Sequence, residues 1–77
     1  MLVYIYDIKT ALRNYNRVKR VFYYNLNKQG LSKYYWKTKS VLVAPNNMEP
    51  AIDRFFKEYS KFCVVYKIRC KQIDEVE

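Results

Sequence analysis

The chain has 77 residues, with 15 lysines and arginines against 7 aspartates and glutamates, so its formal net charge is +8. This length predicts one small domain, residues 1–77, and excludes an enzyme built from separate cofactor and substrate domains. Hydrophobic residues make up 51% of the chain, against 1 glycine and 2 prolines, which excludes a disordered tail. A domain this small is marginally stable by itself, so oligomerisation is expected.

The positive charge is concentrated in the first two thirds of the chain. Nine basic residues and no acidic residue lie between Ile8 and Met48, whereas residues 49–77 carry six of each. Such a charge distribution favours a polyanionic partner, of which nucleic acid is the commonest. The alternative is that the charge only keeps a small domain soluble, but its segregation favours the polyanion.

Cysteine usage and hydropathy bear on where the protein works. Cys63 and Cys70 are seven residues apart in one predicted strand, about 23 Å at strand rise, so they cannot pair within the chain. Two unpaired thiols fit a reducing cytoplasm. Residues 1–6 are apolar but lack a basic segment and meet Asp7 at once, which is not the pattern of a signal peptide. With no apolar run of membrane-spanning length, we predict a cytoplasmic protein without membrane association.

The first half of the chain predicts a strand followed by a long helix. Residues 1–8 are β-branched and aromatic on both faces, which is typical of a central strand that is covered on both sides. Residues from about 10 to 29 carry apolar side chains at three- and four-residue spacing, which predicts a helix. Thr10 is expected to cap its start and Gly30 to end it.

The second half predicts strand, helix and strand again. Residues 31–44 have strand composition, and their alternation slips near Lys39, which indicates either a bulge or a very tight hairpin. An asparagine after Pro45 is expected to cap a second helix, with Pro50 in its first turn. Residues 63–71 alternate cleanly as a last strand. This order predicts a ferredoxin-like βαββαβ fold of the α+β class, with two helices on one face of an antiparallel sheet.

Basic residues form a stripe along the first predicted helix. Arg13, Arg17 and Arg20 recur at helical spacing, with Lys19 adjacent. Guanidinium groups in such a stripe bind phosphates bidentately. The alternative is an ordinary solvated helix face, but such a face usually carries acids between its bases, and none occurs here. We therefore predict that these four residues contact a nucleic-acid backbone.

The chain has 9 tyrosines, more than a core of this size needs. Four of them lie on apolar faces of predicted elements and are expected in the core: Tyr4, Tyr15, Tyr59 and Tyr66. The remaining tyrosines and Trp36 suit either base stacking or a dimer interface, and the sequence leaves both open.

The residue inventory restricts the possible catalysis. The chain has no histidine, which excludes Ser–His and Cys–His nucleophile pairs and histidine-containing zinc sites. Asp7, the one acid of the basic region, ends the first predicted strand, where a carboxylate can hold a hard cation such as Mg²⁺. A two-fold dimer axis is one way to bring two copies of Asp7 together. The alternative is that Asp7 caps a loop or pairs with an arginine.

Several short motifs resemble those of a known family. These are a strand ending in Tyr6-Asp7-Ile8, the helical segment Asn16-Arg17-Val18-Lys19-Arg20, Gly30, and the strand segment Lys39-Ser40-Val41-Leu42. In kind and order they are similar to the Cas-two family of small CRISPR-adaptation proteins. Related ferredoxin-like toxins of the virulence-associated D type share them.

The resemblance implies a nucleic-acid-binding homodimer that acts in CRISPR spacer acquisition, with the CRISPR integrase as a protein partner. It also implies Mg²⁺-dependent endonuclease activity on RNA or DNA. In that activity Asp7 would be the catalytic and metal-binding acid, and Arg13, Arg17 and Arg20 would be backbone contacts. The alternative is a non-catalytic binding or adaptor module, from a mobile element or a virus, that acts on nucleic acid or on an acidic protein partner.

Overall fold

The fold has the predicted βαββαβ order, as the computed structural model of residues 1–76 shows. Its elements are β1 (Leu2–Ile8), α1 (Tyr15–Lys28), β2 (Tyr35–Trp36), β3 (Thr38–Ala44), α2 (Glu49–Glu58) and β4 (Cys63–Arg69). Three full-length strands and the two-residue β2 form one antiparallel sheet in the order β2-β3-β1-β4. Both helices contribute buried residues to the same core on one face of this sheet, so the ferredoxin-like α+β prediction is confirmed.

The central strand, β1, is covered on one face only. It pairs with β4 along its whole length and with β3 from Leu2 to Ile5. Its even-numbered residues are buried against the helices, whereas Ile5 and Asp7 are exposed on the other face. The central position was predicted correctly, and within one chain only the helix-facing side of β1 is covered.

Aromatic rings hold the two helices against the sheet. The ring of Phe22, on α1, lies 5.7 Å from that of Tyr6 on β1, 5.3 Å from Phe55 on α2 and 5.1 Å from Tyr59, measured between centroids. Aromatic pairs of this kind add about 0.5–1.5 kcal/mol each beyond the area that they bury. The core therefore fixes which side of α1 faces the solvent.

The first helix begins later than its sequence pattern predicts. Helix α1 starts at Tyr15, and Thr10 lies in a turn and does not cap it. The backbone N–H of Lys9 donates to the carbonyl of Phe62 at 2.9 Å, which extends the sheet beyond β1. The chain then needs a connecting loop to leave the sheet and reach the helix axis, and residues 9–14 supply it.

Two residues in the left-handed conformation shape the connection from α1 to β3. Gly30 ends the helix with φ of 76°, as predicted, because glycine adopts this angle without strain. Lys37 has φ of 66° in the turn between β2 and β3. Trp36 pairs with Thr38 across that residue, and the register shifts between Tyr35 and Trp36. A tight turn and an irregular pairing thus occur together, where the sequence left a bulge and a hairpin as alternatives.

The start of α2 differs in part from the prediction. Asn46–Met48 form a short 3₁₀ turn, and Met48 precedes the helix without a side-chain cap. The prediction of an asparagine cap is therefore wrong. Pro50 lies in the first turn of α2, as predicted, where its missing N–H costs nothing.

Candidate nucleic-acid interface

A stripe of long polar and aromatic side chains runs along the solvent side of α1. Arg17, Arg20, Tyr24 and Lys28 recur at three- and four-residue spacing and are all exposed. They lie within about 80° of one another around the helix and span about 16 Å along it. We call these four residues the α1 stripe. Tyr24 and Lys28 were not predicted as part of it, although the same spacing continued past Arg20 would have found them.

Two predicted contact residues lie outside the α1 stripe. Arg13 is exposed, but it lies in the loop before α1, so the prediction that it shares a helical stripe with Arg17 is wrong. Lys19 lies about 200° around the helix from Arg17, and its ammonium group is 5.7 Å from the ring centroid of Tyr15. Both residues remain exposed bases near the start of α1, but on other sides of it.

The basic residues of β4 are neutralised by α2. Lys67 Nζ lies 2.6 Å from a carboxylate oxygen of Glu49 and 2.9 Å from one of Asp53. Arg69 donates to the same Glu49 carboxylate at 2.5 Å. These hydrogen bonds, from Arg69 and then from Lys67, hold the pKa of Glu49 below its usual value. The cations of β4 therefore do not extend the basic surface of α1.

The α1 stripe has no such neutralising partners. Within residues 1–76, none of Arg17, Arg20 and Lys28 forms an ion pair. The ammonium group of Lys28 lies 5.9 Å from the ring centroid of Tyr24. A cation on an aromatic face keeps its charge and its hydrogen-bond donors available. The stripe is therefore a row of uncompensated positive charge with one exposed ring within it.

The aromatic and basic side chains around β2 repeat this arrangement. Lys33 Nζ lies 5.3 Å from the ring centroid of Tyr34, and Lys37 Nζ lies 5.7 Å from that of Trp36. Surfaces that bind single-stranded nucleic acid combine these two residue types, because cations track the phosphates and rings stack on bases.

Asp7 lies apart from the α1 stripe. Its side chain is exposed on the face of the sheet away from the helices, because neighbouring residues of a strand point to opposite faces and Tyr6 and Ile8 face the core. No group of three or more cysteine or acidic residues that could hold a metal ion occurs in residues 1–76. The structure therefore does not bring Asp7 together with the arginines of its own chain.

The face of the sheet that carries Asp7 is mostly apolar. Ile5, Val64, Tyr66 and Ile68 expose 41%, 43%, 65% and 45% of their surfaces there. The strand register places eight residues on this face, which we call the open sheet face: Val3, Ile5, Asp7, Val41, Val43, Val64, Tyr66 and Ile68. Seven of these eight are apolar, and the basic residue Lys39, two residues before Val41 on β3, alternates to the same side at the end of this face. The prediction that Tyr66 is a core residue is wrong, since the last strand turns its apolar side outwards.

The other predicted core tyrosines pack in the core or against it. Tyr4 is buried, and its hydroxyl donates to Asp53 at 2.7 Å. Tyr15 and Tyr59 are half-buried and pack against the core. Tyr6 is also buried, and its hydroxyl donates to the carbonyl of Lys39, a contact that the sequence did not predict. Burial raises the pKa of both Tyr4 and Tyr6 far above its ordinary value, so both hydroxyls stay protonated.

Comparison with known protein families, curated proteins and solved structures finds no match to this chain. No helix in the described part of the chain is long and apolar enough to cross a membrane.

Proposed function

We propose that this protein binds nucleic acid by contacting the phosphate backbone through the α1 stripe. The observation that carries the proposal is that Arg17, Arg20 and Lys28 share one exposed side of a helix and form no ion pair within residues 1–76. Arginine binds phosphate bidentately, and backbone contacts of this kind fix a protein on nucleic acid without reading its sequence. Arg13 and Lys19 add positive charge near the start of the same helix.

The charge distribution supports α1 as the contact surface. The two basic residues of β4 are matched by two acids of α2, Glu49 and Asp53, so the net charge of +8 comes from the rest of the chain. A row of unmatched cations attracts a polyanion over a longer range than paired ones do, and it makes association depend on salt.

We propose further that the protein is a homodimer joined through the open sheet face. An apolar surface of this kind on a small domain is typical of an interaction site. The eight residues of this face include no base, and Lys39 lies only at its end, so two chains of charge +8 can meet there with the α1 stripes on opposite outer sides. The resemblance to the Cas-two family also implies a homodimer, and it adds the CRISPR integrase as a partner.

The resemblance implies a magnesium-dependent nuclease at Asp7, but one chain does not supply a suitable donor set. On β4 the residue directly opposite Asp7 is Val64, and no second acidic residue lies on the open sheet face. Mg²⁺ in nucleases is held by one or two carboxylates together with substrate phosphates. A second Asp7 from the partner chain would complete a pair of carboxylates. Hydrolysis is therefore a prediction for the dimer, and we derive no catalytic step within a single chain.

An acidic protein is the alternative partner for the basic surface. The aromatic rings beside Lys28, Lys33 and Lys37 favour nucleic acid, because stacking surfaces next to cations suit bases and phosphates together.

We also propose a cytoplasmic location, since Cys63 and Cys70 are both free thiols.

Fluorescence anisotropy with labelled RNA, single-stranded DNA and duplex DNA of unrelated sequences tests the proposed function. We expect binding to all three that weakens steeply as salt increases, with little dependence on sequence. Polyglutamate of similar charge is the control polyanion. If polyglutamate binds as tightly as the nucleic acids at the same salt, the protein recognises negative charge alone, and the acidic protein partner becomes the better account.

A further inference from the structure

A shallow apolar groove lies beside the α1 stripe, where α1 meets the segment after α2. Its volume is about 270 Å³. The residues that line it are Asn14, Arg17, Val18, Val21, Tyr59 and Phe62. The groove is smaller than the pockets of about 300–1,000 Å³ that hold drug-sized ligands, so it suits a single ring system.

The aromatic wall of the groove is held in place by the core. The Tyr59 ring packs edge-on against Phe22 at 5.1 Å between centroids, and its hydroxyl accepts a hydrogen bond from the side-chain amide of Asn25 at 2.7 Å. Phe62 is half-buried, and its carbonyl accepts a hydrogen bond from the backbone N–H of Lys9, at the start of the loop before α1. A wall fixed in this way needs little reordering when a flat ring packs against it.

Two polar side chains at the groove are available to a ligand. Asn14 is exposed and precedes α1, but its side chain makes no capping hydrogen bond to the helix. An asparagine amide can donate to and accept from the edge of a base. Arg17 lines the same groove and belongs to the α1 stripe, so its guanidinium group can bind a phosphate next to a ring that occupies the groove.

We propose that this groove takes one unpaired nucleobase while Arg17 binds the adjoining phosphate. This inference rests on the proposed function and adds that the protein prefers single-stranded nucleic acid. An apolar floor, an aromatic wall, one free amide and an adjacent guanidinium match a base, its edge and its phosphate.

The experiment compares the affinities for a single strand and for a duplex of the same length, at one salt concentration. The variant Val21→Asn places an amide on the apolar floor and keeps the charge. Val21 is 44% exposed, so this change does not disturb the core. Val76→Asn is the control for the same substitution, since Val76 is 92% exposed and lies outside the α1 stripe, the groove and the open sheet face. Asn14→Ala removes the free amide in a second variant.

We expect the wild type to bind the single strand more tightly than the duplex, and Val21→Asn to weaken single-strand binding about fivefold or more with duplex binding unchanged. Val76→Asn should keep the wild-type ratio of the two affinities. Asn14→Ala should also weaken single-strand binding with duplex binding unchanged, because it removes the free amide at the groove. A strand with 2-aminopurine should change its fluorescence on binding to the wild type and less on binding to Val21→Asn.

Two further outcomes would contradict the inference in different ways. If the wild type binds duplex and single strand equally, or if Val21→Asn lowers the affinities for single strand and duplex alike, the groove is not a base site although the proposed function stands. If the wild type binds neither form, the proposed function itself fails and the base site fails with it.

Discussion

The ammonium group of Lys67 on β4 lies 2.9 Å from the carboxylate of Asp53 on α2. This contact ties the last strand to the second helix, and Asp53 also accepts the hydroxyl of Tyr4 from the central strand. The strands β1 and β4 and the helix α2 are therefore joined at the carboxylate of Asp53. The same contact neutralises one of the two basic residues of β4, which leaves α1 as the side where positive charge accumulates.

The first prediction concerns acid stability at Asp53. Burial by itself would raise the pKa of this carboxyl group, but hydrogen bonds from Lys67 and Tyr4 outweigh it and hold the pKa below its usual value. Such a group stabilises the fold above its unfolded-state pKa of about 3.9, and the stabilisation is lost as the pH falls through the lower folded-state value. We expect Asp53→Asn to lower Tm at neutral pH and to flatten the fall of Tm below about pH 4.

Thermal unfolding followed by circular dichroism across this pH range measures the effect. Glu58→Gln is the control, because Glu58 is exposed and forms no ion pair within residues 1–76. Parallel Tm curves for the wild type and Asp53→Asn would show that the carboxylate contributes no pH-dependent stability.

The second prediction concerns the left-handed backbone of Lys37. A residue with a side chain at φ of 66° is strained, whereas glycine is not. We expect Lys37→Gly to raise the free energy of unfolding by about 0.5–1 kcal/mol, as measured by urea denaturation. Lys37→Val should lower it, because β-branched residues tolerate this conformation worst. Lys39→Gly, in β3, should lower it by about 0.5–1 kcal/mol, since glycine weakens a regular strand.

The third prediction concerns the open sheet face. Tyr66→Asp puts a charge into the proposed dimer interface, at a residue that is 65% exposed and hence not needed by the core. We expect its dimer dissociation constant to rise tenfold or more in sedimentation equilibrium, because an unpaired charge would be buried. Tyr24→Asp is matched in residue type and exposure, at 64%, and should dimerise like the wild type. Equal effects of both variants would place the interface elsewhere.

The fourth prediction concerns Asp7. If the dimer brings two Asp7 carboxylates to one Mg²⁺, labelled RNA or duplex DNA should be cleaved with Mg²⁺, and EDTA should abolish cleavage. Asp7→Asn should also abolish cleavage and leave the affinity for nucleic acid within about twofold, because Asp7 lies on the face away from the α1 stripe. Binding without cleavage by the wild type would identify a scaffold or regulator instead of a nuclease.

Local patterns predicted the fold well. The three- and four-residue apolar spacing of α1, the alternation of β4 and the single glycine at Gly30 each act over a few residues, and the structure has all three features. The start of α1 was misplaced because the Lys9–Phe62 backbone bond comes from tertiary structure. No local pattern encodes a pairing across more than fifty residues.

The site was harder to predict because it also depends on contacts between residues that are distant in sequence. Clean alternation in β4 shows which residues share a face, but it does not show which face the helices cover, so Tyr66 was assigned to the core. The basic residues Lys67 and Arg69 lie distant in sequence from Glu49, and only the fold shows that they are paired. The segregation of charge along the chain did predict α1 as the basic element.

The salt dependence of binding tests the α1 stripe most directly. The measurement is the affinity for duplex DNA over a range of salt concentrations, for the wild type, Arg17→Ala and Lys71→Ala. Each variant removes one exposed positive charge, and Lys71 lies beyond the end of β4. We predict that Arg17→Ala weakens binding similarly across sequences and reduces the slope of log K against log salt by about 0.9, with no change for Lys71→Ala. An unchanged slope for Arg17→Ala, or an equal loss in both variants, would contradict phosphate binding by the α1 stripe.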